Sequence, residues 1–132
     1  MSTLVRANTV HNLTPLISVA DIEQSVAFYC DSLGFQLSDR WAPEGRLAWC
    51  RVERGGSAVM LQQACDEKAT VTDRGRGVEF FFLCDDADAL HAEFRARGLD
   101  VKPPKIAFYG MNQLFIKDPD GYELCFQNVI AP

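Results

Sequence analysis

Few residues of this chain are equipped for chemistry, and their spacing limits what they can do. The run "GVEFFFL" holds one acid, Glu79, among apolar neighbours, and "DPDGYELCF" carries Glu123 and Cys125 on a strand after a sharp turn. A lone semi-buried carboxylate such as Glu79 could neutralise a ligand's amine, or it could pair with an arginine such as Arg51 or Arg74. Cys125 could serve a soft metal as thiolate, but no histidine or helix N-terminus near it in sequence would lower its pKa, so it reads as a small lining residue. His11 precedes the first strand and His91 falls mid-helix, and both read as solvent-facing. The turn "DPDG" is not a calcium loop, because the glycine and the distal glutamate that an EF-type loop requires stand at other spacings. Trp41, Trp49, Phe108 and Tyr109 offer flat surfaces for stacking a planar ligand, and Trp49 could equally be a core residue.

Composition narrows the partners. The chain has 132 residues, 48% of them hydrophobic, enough for one domain with a substantial core. Eighteen acidic residues against 13 basic ones give a net charge of −5, which argues against a nucleic-acid partner and suits a neutral or cationic small ligand. No uninterrupted apolar stretch reaches the roughly 18 residues of a membrane span, and the N-terminal segment lacks an apolar signal core, so a cytoplasmic location is expected. Cys30, Cys50, Cys65, Cys84 and Cys125 are odd in number and widely scattered, which points to reduced thiols.

The elements that must position these residues appear as a repeat. "GRLAWCRVERGGSAVMLQQ" and "GMNQLFIKDPDGYELCFQN" superimpose at an offset of 65, and the same offset pairs Asp21 with Asp86 at the starts of two helical patterns. Each copy reads as a strand, an Asp-capped helix ending at Gly34 or Gly98, a short strand and a hairpin, turned by "ERGG" in one and "DPDG" in the other. The unit is βαβββ, twice. The expected fold is α+β: two tandem modules forming a curved, cup-shaped mixed sheet with helices on its outer face. The first module spans about 13–66 and the second about 77–128, within one domain of 1–132 that begins with an extension over 1–12.

This pattern resembles the vicinal oxygen chelate superfamily of glyoxalases, extradiol dioxygenases and bleomycin resistance proteins. The residues that carry it are "SVADIEQSVAFYCDSLGF", "GVEFFFLCDDADALHAEFRARG" and "YGMNQLFIKDPDGYELCF". In its metalloenzymes the first and last strand of each module supply ligands, and the resemblance maps those positions onto Thr14, Met60, Glu79 and Cys125. Only Glu79 is the family's kind of ligand. Thr14, Met60 and Cys125 read as vacated, and divalent metals prefer His and carboxylate donors, so no metal, cofactor or catalytic residue is expected. The resemblance then implies the bleomycin-resistance-like branch: a metal-independent protein that binds a small molecule, such as a cationic or aromatic antibiotic, in a groove of a homodimer, in a family where exchange of modules between the two chains is common. The alternative is a metal-dependent lyase, isomerase or dioxygenase built around Glu79 with Glu123, Gln62 or Cys125.

Strand alternation divides the side chains between two faces. Leu16, Ser18, Ala58, Met60, Gln62, Glu79, Phe81, Glu123, Cys125 and Gln127 are expected in the groove. Ile17, Val19, Val59, Leu61, Val78, Phe80, Phe82, Leu124 and Phe126 are expected beneath the helices. The ligand-contact set is Trp41, Trp49, Met60, Gln62, Glu79, Phe81, Phe108, Tyr109, Glu123 and Cys125.

Overall fold

A computed structural model describes residues 8–65 and 73–130, so the first seven residues of the N-terminal extension and the end of the first module at residue 66 lie outside the described residues. Strand β1 (Leu16–Val19) leads into helix α1 (Ile22–Ala27), which continues as a π-helical turn over Phe28–Ser32. Strands β2 (Gln36–Trp41), β3 (Trp49–Arg54) and β4 (Ser57–Gln63) complete the first module. The second repeats the order with β5 (Glu79–Leu83), α2 (Ala87–Ala96), β6 (Lys105–Ile106), β7 (Met111–Lys117) and β8 (Glu123–Val129). Each module closes its own four-stranded mixed sheet, in the orders β1-β4-β3-β2 and β5-β8-β7-β6. No helix among the described residues is long and apolar enough to cross a membrane.

The local causes are those the sequence supplies. Asp21 and Asp86 take extended backbone and accept from the N–H of Gln24 and Ala89, capping α1 and α2. Gly34 and Gly98 end the helical segments in the left-handed region, at φ +74° and +97°. The offset of 65 holds for the parallel pairs, where Leu16 faces Met60 and Phe81 faces Cys125. It does not hold in the middle strands. Cys50 faces Leu61 while Leu114 faces Phe126, so β3 and β7 are 64 apart and the ungapped overlay misplaces β7 by one residue. The cause is the turn: Gly55 and Gly56 connect β3 to β4, whereas Pro119, Asp120 and Gly121 lie between Asp118 and Tyr122, whose backbones close that loop at 2.9 Å. The longer turn absorbs the extra residue and leaves the alternation of both strands intact.

One core unites the two modules. Ile17, Val19, Val59 and Leu61 of the first sheet share it with Phe82, Leu124 and Phe126 of the second, and Tyr29 and Phe94 enter from the helical segments with no exposure. Phe35 meets Phe82 edge to face at 5.9 Å across the module boundary. Val78 departs from expectation: it precedes β5 and is 43% exposed instead of packed under a helix. His91 is another correction. It is half-buried, and its Nε2 lies 3.1 Å from the Val101 carbonyl, because its place on α2 faces the chain that follows the helix instead of solvent.

The modules are bolted by the turn after β7. Tyr29 Oη donates to Asp118 Oδ2 at 2.8 Å, and Asp118 Oδ1 accepts the N–H groups of Asp120 and Tyr122 at 2.9 Å. Burial raises the Asp118 carboxyl above its usual range, while the hydroxyl and the two N–H groups oppose that rise. Burial, followed by the Asp118 charge, raises Tyr29 well above the ordinary phenol. A carboxyl whose folded pKa is raised stabilises the fold most when protonated and loses that contribution as pH rises through its folded pKa. Removing the Tyr29 hydroxyl raises that pKa further. Tyr29→Phe is therefore expected to cost about 1–3 kcal/mol in urea unfolding, more at neutral than at mildly acid pH. A variant as stable as the parent at both would mean that the bond does not fasten the modules.

Candidate functional site

The faces of the two sheets turned away from the core carry most of the expected contact residues. On the first sheet one row across the strands reads Ser18, Gln62, Trp49, Trp41, and the next reads Leu16, Met60, Arg51, Asp39. Trp41 ends β2 directly opposite Trp49, 60% exposed, and a register shift between Leu37 and Asp39 sets this pairing. Trp49 is half-buried on the same face and belongs to no core cluster. The two indoles thus form a broad wall above Gln62 and Ser18.

On the second sheet the rows read Glu79, Glu123, Lys117; then Phe81, Cys125, Phe115; then Leu83, Gln127, Gln113. Phe81 and Phe115 are about half exposed, at 51% and 47%, and flank Cys125, which is 1% exposed. Cys125 therefore lies on the expected face but at its floor, covered by its neighbours. Burial first, and then the Glu79 carboxylate, push its thiol up to about 11. With no metal beside it, it is a thiol at neutral pH and a poor nucleophile. Glu79 is exposed and pairs with neither Arg51 nor Arg74: Arg51 bonds Glu53 and Ser38, and Arg74 lies 3.3 Å from Asp120. Glu123 is 3.8 Å from Lys117.

Tyr109 and Phe108 lie in the loop before β7. Gln113 donates to Tyr109 Oη at 2.8 Å and to Gln127 Oε1 at 2.9 Å, so a polar chain ties this loop to the open face. Phe108 projects fully into solvent against the edge of the Tyr109 ring. The two open faces meet where Ala58, Glu79 and Phe81 line a shared cavity of about 260 Å³ with Leu13 and Pro15. The structure divides the contact set accordingly: Trp41, Trp49, Met60 and Gln62 on the first sheet, and Glu79, Phe81, Glu123 and Cys125 on the second. Phe115, Gln113 and Arg51 were missed. Counting β7 back from its own turn, instead of from the overlay with β3, would have exposed the first two.

The donor set does not fit a metal of the kind the superfamily's enzymes use. Thr14 stands before β1, Met60 offers a thioether, and Cys125 is 1% exposed at the floor of its face, which leaves Glu79 as the one carboxylate at the four positions. Among the described residues no three His, Cys, Asp or Glu side chains come close enough to hold one.

Comparison with known proteins agrees with this architecture. A search of curated proteins finds no match. Among solved structures, a glyoxalase/bleomycin resistance protein/dioxygenase from Nocardioides superimposes with a TM-score of 0.72 at 22% identity, over 96% of this chain and 87% of that one. The bleomycin-binding protein of bleomycin-producing Streptomyces verticillus, solved with copper(II)-bleomycin, gives 0.66 at 18% identity, over 96% and 100%. TnmS3, an antibiotic-binding protein from Streptomyces sp. CB03234, gives 0.69 at 22% identity, over 94% and 99%. The family model of the glyoxalase/bleomycin resistance protein/dioxygenase superfamily matches residues 9–126, and the chain belongs to that superfamily.

Proposed function

We propose that the protein binds a small molecule without a metal, sequestering a cationic or aromatic compound on its open sheet faces. The observation that carries this reading is the Trp41–Trp49 wall on one sheet and the Phe81–Phe115 pair on the other, flat apolar surfaces beside exposed carboxylates. Such surfaces hold planar ligands by stacking, and Glu79 and Glu123 favour a cation. The bleomycin-binding and antibiotic-binding proteins that share the fold support the ligand class. The protein acts in the cytoplasm on this reading.

The same faces support a homodimer. Leu16, Trp41, Phe81, Leu83, Phe115 and Val129 are each more than a third exposed, an apolar display that a second copy would cover while completing the groove with its other module. The second reading, a lyase, isomerase or dioxygenase around Glu79, has one observation in its favour. Glu79 and Glu123 stand side by side in register and border a cavity of about 410 Å³ with Lys117.

Titration with bleomycin, followed by tryptophan fluorescence, tests the binding reading. Trp49→Ala is expected to weaken affinity roughly three- to tenfold. No quenching with bleomycin or with other cationic aromatic antibiotics would overturn it. Dialysis against a chelator should leave binding unchanged, whereas near-stoichiometric zinc, nickel or iron in the purified protein, with an activity lost in Glu79→Gln, would favour the enzyme. Light scattering should give twice the chain mass, and a monomer at micromolar concentration would remove the composite groove.

A further inference from the structure

The two module junctions are built alike but filled differently. At the first, the β7–β8 turn packs against the β1–α1 corner: Asp120 accepts from the Ala20 N–H at 2.8 Å, and Tyr122 donates to the Ser18 carbonyl at 2.9 Å. The Tyr122 ring stacks on Phe80 at 6.2 Å, and the Asp120 carboxylate is met by the Arg74 guanidinium. An aromatic ring and a neutralised charge fill that junction.

At the second junction the β3–β4 turn faces the β5–α2 corner. Arg54 stands where Asp118 does in the other module and reaches α2, holding Glu93 with two bonds of 2.8 Å. Beyond it the parallel ends. Ser57 replaces Tyr122, and Gly55 and Gly56 replace the residues that carry Asp120, so no ring and no carboxylate enter. A cavity of about 550 Å³ remains, floored by Phe35, Phe82 and Phe126 and walled by the first turn of α2. This volume is in the usual range for small-molecule sites. Its charge is lopsided: Arg54 is committed to Glu93 and Asp86 to the helix cap, while the exposed Asp85 carboxylate stands at the wall.

We propose that this cleft is a second ligand site, separate from the open sheet faces, for an aromatic ring bearing an ammonium group. The ring takes the place that Tyr122 occupies at the sister junction, over the phenylalanine floor. The ammonium meets Asp85, with the aromatic faces adding cation–π attraction. The inference stands whether or not the open faces bind a ligand.

Tyramine is the probe, and its neutral relative 4-ethylphenol the control, in amide NMR titrations of the whole chain. Tyramine should move the resonances of 55–57 and 84–90 saturably, and at least threefold more tightly than 4-ethylphenol. Asp85→Asn should erase that difference, Ala89→Trp should abolish binding by filling the cleft, and Trp49→Ala should leave it unchanged. Shifts confined to the open faces, equal binding of the two probes, or no saturation at any soluble concentration would overturn the proposal. Spectra of both cleft variants that otherwise overlay on the parent secure the comparison.

Discussion

The two modules are held in one relation by a buried hydrogen bond, Tyr29 to Asp118, that joins a helical segment of one module to a turn of the other, with the Asp120, Tyr122 and Arg54 contacts beside it. Neither module has the core to stand alone, since small units bury too little of their surface. The shared cluster under both sheets forms only if the modules are held in one relation. A carboxylate that is only 5% exposed is a costly way to hold them, and the three donors that surround it offset part of that cost. A shift between the modules would take away the Tyr29 hydroxyl and leave that carboxyl with only the two N–H groups of its own turn, so the bond specifies the arrangement as well as supporting it.

With the cores fused, what remains on the surface is decided by alternation. Each strand that buries Leu61 or Phe126 must present Met60, Gln62, Cys125 or Gln127 on the other side. The open faces are therefore free to vary in chemistry without loss of the core. A fold shared so widely does not fix function, which must be argued from the side chains it carries.

Much of this was legible in the chain because two rules leave strong marks: the Asp-capped helices and the 65-residue spacing recovered both modules and the equivalence of their first and last strands. The division into two faces held for most strand residues, Val78 excepted. Failures came where spacing alone is blind. One residue in a turn displaces β7 from the overlay, and no residue of that strand was assigned to either face, so Phe115 and Gln113 went unnoticed. The depth of Cys125 was also unreadable, since it depends on cross-strand neighbours and not on the residue itself. The partner of His91 lies ten positions along the chain, and nothing local marks it.

The unequal turns bear on how such a chain could be rebuilt. A protein made from two copies of the second module would carry Asp118 and Tyr122 at both junctions but Phe94 in the place of Tyr29, so neither aspartate would keep the hydroxyl that holds it here. It would be more symmetric and closed at each waist. The natural chain keeps one waist closed and one open, and the shorter β3–β4 turn leaves a cleft there without disturbing the strand pairing of either sheet. In a duplicated fold, new room is gained most cheaply where the copies touch.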